Sequence, residues 1–171
     1  TVTGVSSIIT FGNPQMIPPS CNGNTNGSIT VTVSGVTGNV TYIWNPGSST
    51  TATLSGIGAG VYNVTATDAN GCSATASYTL TQPAAITFGN AIVNNVSCHG
   101  ANDGSITVNA TGGSGVLTFT WSTTPQQTGA TIVNLTPGNY TVTAGDDVGC
   151  SATASYTITD PAALSVTVNA T

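Results

Sequence analysis

The sequence contains almost no charged side chains. It has no Lys, Arg or Glu, and its formal charge comes from five Asp residues, with one His besides. Proteins hold phosphate backbones mainly through Lys and Arg, so nucleic acid is excluded as a partner. Electrostatic contact with anionic lipid needs the same two residue types. The sequence also has no apolar run of 18 residues, so membrane insertion is not expected.

Charged residues make up 3% of the chain, compared with about a quarter in ordinary soluble proteins. The apolar residues are interleaved with Thr, Ser, Asn and Gly, which indicates a neutral surface rich in hydroxyl and amide groups. A net charge of -5 over 171 residues repels copies of the chain only weakly. We therefore expect copies of the chain itself as partners, with surface polysaccharide as a further candidate.

One long segment of the sequence occurs twice. Gly27–Val31 recurs as Gly104–Val108, and Trp44 corresponds to Trp121, each at an offset of 77 residues. Later in the repeat the offset becomes 78 residues, so one residue is inserted in the second copy. A repeat of domain size indicates an array of similar units. Arrays span distance or multiply weak contacts more often than they catalyse reactions.

The repeat predicts the domain boundaries. We expect a first β-sandwich repeat at 1–83 and a second at 84–161. Residues 162–171 align with the start of a unit, so they are either the first strand of a third repeat or a strand donated to a neighbour. The sequence lacks an initiator Met and a signal-peptide pattern, so we expect it to be cut from something longer. A donated strand would insert the alternating side chains of Leu164, Val166 and Val168.

Alternation of polar and branched apolar residues runs through both units, as in Ser28–Val33. Thr, Val, Ile and Tyr dominate, and these residues fit a pleated, half-buried surface. In the first unit we predict strands near 7–12, 27–34, 40–45, 51–56, 60–68 and 73–81. In the second they fall near 85–92, 104–111, 116–122, 130–135, 138–145 and 151–159. Such short strands predict an all-β fold of tandem immunoglobulin-like antiparallel β-sandwiches.

Aromatic residues recur at matching strand positions in the two units. The candidate core anchors are Trp44, Trp121, Tyr62 and Tyr140. The alternative is a carbohydrate-binding module whose stacking platforms come from Trp44, Tyr42, Trp121 and Phe119. Exposure separates the two hypotheses, because a binding aromatic faces solvent and a core anchor does not.

Each unit contains two cysteines, 51 residues apart in the first unit and 52 in the second. Closing a loop of this length removes conformational entropy worth roughly 4 kcal/mol from the unfolded chain. We predict one disulfide within each unit, Cys21–Cys72 and Cys98–Cys150, formed in an oxidising compartment outside the cytoplasm. The alternative is four buried free thiols.

Residues able to carry out chemistry are scarce. The first unit has one Asp and therefore lacks the carboxylate pair that glycoside hydrolysis requires. His99 follows Cys98, and we expect it to be a turn residue because the first unit has Asn22 at that place. We predict no catalytic residues, no enzymatic activity and no required cofactor.

Calcium is the one metal that we consider. If the predicted disulfides form, they bring Asp103 near Asp146 and Asp147, and oxygen ligands gathered in this way hold Ca²⁺. The alternative is that these residues are turn formers that bond to their own backbone. The candidate calcium ligands are Asp68, Asp103, Asp146 and Asp147.

The order of short motifs in each unit resembles a known family. In the first unit the motifs are Cys21, Asn26–Val31, Trp44, Gly60–Thr65, Asp68–Ala76 and Pro83. In the second they are Cys98, Asp103–Val108, Trp121, Gly138–Thr143, Asp146–Ala154 and Pro161. This pattern resembles the SprB-type repeat of large secreted adhesins of gliding bacteria.

The resemblance implies type 9 secretion, display on the cell surface, adhesion and gliding motility. Members usually carry some Lys and Glu, and their absence leaves a specialised filament open as an alternative. We therefore expect an extracellular structural or adhesive module. In its strongest form, the terminal strand completes the next sandwich by strand addition.

Overall fold

The computed structural model describes residues 8–168, and every regular element in that range is a β-strand. The chain divides into two compact units, Thr1–Pro83 and Ala84–Thr171. The predicted strand at 7–12 begins outside the described residues, and the terminal segment at 162–171 ends outside them. Each unit is described separately below.

Over its described residues, 8–83, the first unit contains eight strands. They are β1 (Thr10–Phe11), β2 (Gln15–Ile17), β3 (Gly27–Thr30), β4 (Val33–Ser34), β5 (Thr41–Asn45), β6 (Thr53–Ile57), β7 (Gly60–Thr67) and β8 (Ser73–Leu80). β2, β3 and β6 form one three-stranded antiparallel sheet, and β5, β7 and β8 form another. The short β1–β4 ladder continues the β2–β3 ladder beyond an irregular stretch.

The second unit repeats this arrangement. Its strands are β9 (Ala84–Phe88), β10 (Ile92–Asn94), β11 (Gly104–Thr107), β12 (Ala110–Gly113), β13 (Thr118–Trp121), β14 (Thr131–Leu135), β15 (Gly138–Gly145) and β16 (Ser151–Ile158). β10, β11 and β14 form one sheet, β13, β15 and β16 form the other, and β9 pairs with β12. The predicted duplication is thus a duplication of topology as well as of sequence.

The strand order is that of the immunoglobulin fold. In the first unit, β1 and β2 together correspond to strand A, and β3 and β4 together correspond to strand B. β5, β6, β7 and β8 correspond to strands C, E, F and G, so A, B and E form one sheet and C, F and G form the other. The buried cluster of the first unit takes Ile29 and Leu54 from one sheet and Trp44 and Val64 from the other, so the sheets pack face to face. The predicted all-β fold of tandem immunoglobulin-like sandwiches is confirmed.

The tryptophans lie at the centre of these cores. Trp44 is 2% exposed and Trp121 is 1% exposed. Each indole Nε1 donates a hydrogen bond to a backbone carbonyl, that of Thr51 at 3.0 Å and that of Gly129 at 2.9 Å. Burial therefore leaves no indole donor unsatisfied, and the aromatic area stabilises the sandwich.

A tyrosine near the start of the F-type strand ties each unit together. Tyr62 is 8% exposed, and its hydroxyl donates to the Gly58 carbonyl at 3.0 Å. Tyr140 is partly buried, and its hydroxyl donates to the Thr136 carbonyl at 2.8 Å. A tyrosine that bonds back to the backbone a few residues upstream is a recurrent feature of immunoglobulin-like folds.

The predicted disulfide pairing is wrong. Cys72 and Cys98 are free thiols, whereas Cys21 and Cys150 are disulfide-bonded. Neither Cys21–Cys72 nor Cys98–Cys150 is therefore formed, and the units have no internal disulfide.

The strand directions explain this result. Cys21 lies in a loop at the end of the first unit where Asn22 donates to the Pro83 carbonyl. Cys72 lies in the β7–β8 turn at the other end. The eight-residue strand β8 separates these ends by about 25 Å, and a disulfide requires Cα atoms within about 7 Å. The second unit has the same strand order, so the same separation applies to Cys98 and Cys150.

Candidate sites for surface contact and self-association

Buried tryptophans cannot serve as sugar-stacking platforms. Trp44 and Trp121 face the core, so the interpretation that they bind carbohydrate is wrong. Tyr42 and Phe119 are partly buried and pack against the same cores. The Phe119 ring lies 6.3 Å from the Phe88 ring between centroids, at the edge of an open groove of about 570 Å³. Most of the aromatic area predicted for binding is thus used for packing.

The outward faces of the sheets carry hydroxyl groups instead. On the β7–β8 pair, inward Val64 and Ala76 alternate with outward residues that, apart from Val61, are Thr, Ser or Asn. Opposite hydroxyls on neighbouring strands bond to each other, as between Thr141 and Ser155 at 2.9 Å and between Thr30 and Thr53 at 3.0 Å. The outward residues of β7 and β8 are Val61, Asn63, Thr65, Thr67, Ser73, Thr75, Ser77 and Thr79.

A carboxylate organises the turn between the last two strands of each unit. Asp68 is 5% exposed and accepts backbone hydrogen bonds from Thr37 at 3.2 Å, Asn70 at 2.9 Å and Cys72 at 3.0 Å. Each donor is a main-chain N–H that would otherwise lack a partner in the turn. The Asp68 carboxylate is thus occupied by its own backbone, as an Asx-type turn residue would be.

Asp146 has the same role in the second unit. Its carboxylate accepts from the backbone of Ser114 at 2.8 Å, Val148 at 3.1 Å and Cys150 at 2.8 Å. Desolvation raises the pKa of Asp146, but the backbone donors outweigh it and hold the pKa below its ordinary value. The resulting stabilisation is present above the unfolded-state pKa and is lost as the pH falls through the lower folded-state pKa.

The structure does not bring the candidate calcium ligands together. Asp103 accepts from the Ser97 backbone at 3.0 Å, at the end of the unit opposite the turn that holds Asp146. Hydrogen bonds from Ser97 lower the pKa of Asp103. Asp147 accepts from Val116 at 3.0 Å. Within residues 8–168, no group of three or more metal-ligating side chains occurs. The predicted proximity depended on disulfides that do not form.

A contact between a histidine and an aspartate lies beside Cys98. The His99 Nδ1 atom is 2.8 Å from an Asp160 carboxylate oxygen, and the other oxygen accepts from the Gly100 N–H at 3.0 Å. In the first unit, Gln82 takes the place of Asp160 and accepts from Gly23 at 2.9 Å. Sequence reasoning did not assign Asp160 a role. The sequence signal for a role of Asp160 was its position in the repeat, where it corresponds to Gln82 of the first unit and precedes a proline.

Both free thiols are accessible. Cys98 is exposed, and Cys72 is partly exposed. The backbone N–H of Cys72 bonds to Asp68, so the turn that presents this thiol is fixed. Each free thiol has a disulfide-bonded counterpart at the same position of the other unit.

The C-terminal segment is unpaired over its described length. Residues 161–168 belong to no strand. Leu164, Val166 and Val168 are 94%, 78% and 86% exposed. Strand donation by this segment stays a prediction. Among the described residues there is no helix long and apolar enough to cross a membrane.

Comparison with known proteins gives one family match, to a segment of each unit. The SprB repeat family matches residues 17–49 and 90–125. No curated protein gives a match. The amphioxus IgVJ-C2 molecule shares 17% identity at a TM-score of 0.36, over 86% of this chain and 97% of that one.

A second solved structure is Dpr11 IG1 bound to DIP-gamma IG+IG2. It shares 11% identity at a TM-score of 0.33, over 87% of this chain and 99% of that one. The sequence identity and the TM-score are low in both comparisons, so the chain is not assigned to the family of either protein. The two segments matched by the family model fall one in each sandwich. Each immunoglobulin-like unit thus contains one segment that is similar to the SprB repeat.

Proposed function

We propose that the chain is a structural and adhesive module of an extracellular cell-surface protein, acting as stalk and contact surface without catalysis. The observation that carries this proposal is a segment similar to the SprB repeat in each of two sandwiches whose outward strand faces bear hydroxyl and amide groups. Type 9 secretion and a part in gliding motility follow from the family resemblance and belong to the proposal.

Adhesion by such a surface depends on many weak contacts. The chain has no Lys or Arg, so it cannot form Coulombic contacts with acidic polysaccharide or anionic lipid through cationic side chains. Hydroxyl and amide groups instead exchange hydrogen bonds with water for hydrogen bonds with a hydroxylated surface, at small net gain per contact. Tandem copies raise the total strength because each later contact forms at high effective concentration. This adhesion differs from charge-based adhesion because salt does not screen it.

We expect beads coated with this chain to be retained on agarose or cellulose under flow. Retention should change less than twofold between 10 mM and 1 M salt, conditions that shorten the Debye length from about 30 Å to about 3 Å. The measurement is the fraction of beads retained at fixed shear. Retention no higher than that of albumin-coated beads would contradict the proposal.

A matched pair of variants locates the contact face. Ser77→Glu with Ser155→Glu places one charge per unit on the outward face, and it should reduce retention several-fold. Asn70→Glu with Val148→Glu adds the same charge at exposed turn positions, and it should leave retention unchanged. Equal losses in both variants would show that the sheet face is not the contact surface.

Self-assembly by strand addition is the stronger form of the proposal. The described part of the terminal segment is unpaired, and an apolar alternating strand pairs readily with an exposed sheet edge. Deleting residues 162–171 should abolish fibres seen by electron microscopy. A full-length variant with Ser at 164, 166 and 168 controls for chain length and should also lack fibres. Fibres that persist in both variants would rule out donation.

A further inference from the structure

The second unit contains a groove with a neutral, polar lining. The connection between β13 and β14 and the turn between β14 and β15 form it, and its volume is about 550 Å³. Sites for small molecules have volumes of about 300–1,000 Å³, so the groove is large enough for a ligand. None of the residues that line it carries a charge. Its polar lining comes from Ser122, Thr123, Gln127, Asn134, Thr136 and Tyr140.

Backbone hydrogen bonds fix two hydroxyl groups of this lining. The Ser122 Oγ atom accepts from the Thr141 N–H at 3.0 Å, and the Thr123 Oγ1 atom accepts from the Gln127 N–H at 2.7 Å. Among the described residues, 8–168, neither hydroxyl donates to an acceptor, so both protons are available to a ligand. Groups that are held in place before binding lose little conformational freedom when a ligand arrives.

The turn between β14 and β15 adds two polar side chains that the first unit lacks. Asn134 has a φ of 58°, in the left-handed region, where the first unit has Gly56 at 71°. Thr136 takes the place of Gly58, because the carbonyl of each accepts the hydroxyl of the tyrosine four residues later. Glycine forms this turn in the first unit, so the backbone geometry does not require the side chains of Asn134 and Thr136.

Tyr140 places an aromatic ring beside these polar groups. It is partly buried, and its hydroxyl donates to the Thr136 carbonyl at 2.8 Å. The fold thus uses the proton of the Tyr140 hydroxyl, whereas its oxygen can still accept a hydrogen bond. The groove therefore combines fixed hydroxyl donors, an amide and an apolar ring surface.

The side chain of Gln127 blocks the adjacent sheet edge. β14 is the outer strand of its sheet. The Gln127 amide donates to the Val133 carbonyl at 3.2 Å and accepts from the Val133 N–H at 3.3 Å. A peptide that added to this edge as a strand would pair with the same main-chain groups. An extended peptide would therefore have to displace Gln127, whereas a ligand that bonds to side chains would not.

We propose that this groove binds a neutral oligosaccharide, such as a segment of a surface polysaccharide. Ser122 and Thr123 donate to sugar oxygens, Asn134 and Thr136 exchange hydrogen bonds with sugar hydroxyls, and the exposed part of the Tyr140 ring covers an apolar face of a sugar. An ionic ligand would lose its hydration in this groove without gaining a countercharge. The inference goes beyond the proposed function, in which the outward strand faces make the contacts.

The first test is a nuclear magnetic resonance titration of the isotope-labelled full chain with cellohexaose, laminarihexaose, maltohexaose and neoagarohexaose. All of these sugars are uncharged. We expect at least one of them to shift the backbone amides of Asn134 and Thr136 in a saturable way, with a dissociation constant of about 1 mM or below. If no sugar gives a saturable shift at these amides, the proposal is overturned.

A matched pair of variants assigns the binding to the turn. Asn134→Gly with Thr136→Gly restores the residues of the first unit, and it should weaken sugar binding about tenfold because two modest hydrogen bonds are lost. Asn139→Val also installs the residue of the first unit, Val61, but Asn139 lies outside the groove and accepts from Thr157 at 2.7 Å. It should leave the affinity unchanged. Equal affinities in the two variants would contradict the proposal.

A synthetic peptide of residues 162–171 tests a different occupant. We expect it to leave the groove amides unshifted, because Gln127 already occupies the edge of β14. A shift caused by the peptide and by none of the sugars would make the groove a strand-binding site and would overturn the assignment to a saccharide.

The titration and the adhesion test can fail separately. Beads that are retained on agarose, with no sugar shift in the titration, would preserve the adhesive function and overturn the groove as a sugar site. A sugar shift that the double glycine variant weakens, with beads that are not retained, would support the groove and contradict adhesion through the strand faces.

Discussion

Trp44→Ala is expected to unfold the first unit under conditions in which the second unit remains native. Truncating a fully buried indole costs about 4 kcal/mol, through lost apolar burial and the cavity that remains. A domain of about 80 residues has a free energy of unfolding of about 4–12 kcal/mol, so this loss is a large part of the total. The Thr51 carbonyl would also lose its indole donor.

The chain offers its own reporters for this measurement. Each unit holds one tryptophan, so Trp121 fluorescence follows the second unit alone in Trp44→Ala. Amide hydrogen exchange of β7 and β8 reports the first unit. Ile43→Ala is the matched control, because Ile43 precedes Trp44 on the same strand and is 67% exposed. It should change stability by no more than about 0.5 kcal/mol. A loss of less than about 1 kcal/mol in Trp44→Ala would mean that the indole does not anchor the core.

Asp68→Ala should destabilise the first unit by about 3 kcal/mol. The substitution leaves the backbone N–H groups of Thr37, Asn70 and Cys72 without their acceptor, and unsatisfied buried donors are costly. Denaturant unfolding followed by Trp44 fluorescence, in a Trp121→Phe background so that only the first unit is observed, measures the loss. The midpoint should fall at an unchanged slope, because the folded surface area does not change.

Two variants separate the carboxylate's roles. Asp68→Asn keeps one oxygen acceptor but loses the charge, so its stability should fall between wild type and Asp68→Ala. Asn70→Ala alters the same turn without removing an acceptor, and it should be near neutral. If Asp68→Ala proves as stable as Asn70→Ala, the turn does not depend on the carboxylate.

The sequence predicted the strands best where alternation is strong. The predicted strand at 138–145 coincides with β15, and the strands predicted at 60–68 and 73–81 end one residue beyond β7 and β8. The inward residues of these strands alternate with Thr, Ser and Asn, and the same alternation occurs in both copies of the repeat. Two separate sequence signals therefore predict the same strands.

The first strands of each unit were harder to predict. β2 at Gln15–Ile17 was missed, because all three of its residues are exposed and it carries no alternation. The predicted strand at 27–34 is interrupted between β3 and β4, where Gly12 approaches Thr32. A Cβ at Gly12 would lie 2.6 Å from the Thr32 Oγ1 atom, so a larger residue there would require the Thr32 side chain to move. Close backbone approaches of this kind leave only a weak trace in a single sequence.

The cysteine pairing could not be predicted from spacing. Separations of 51 and 52 residues give the same loop-closure entropy whichever ends the cysteines occupy. The deciding fact is that β7 runs from the end that holds Cys21 to the turn that holds Cys72. Even spacing of cysteines in a repeat therefore does not show which of them pair. The carboxylate sites could also be predicted only in part. Asp68 and Asp146 lie in turn-forming sequences, which indicates their local role. Their backbone donors Thr37 and Ser114 are distant in sequence, so these contacts are visible only in the folded structure.

The strand order has a mechanical consequence for each unit. Tension applied to the chain at its entry through β1 and β2 and at its exit through β8 pulls along the strands. β2 would slide against β3 while β8 slides against β7, so both ladders are loaded in shear. Ladder bonds in shear share the force and fail together, whereas bonds that unzip fail one at a time. A unit loaded in this way resists force best along the direction of its own strands.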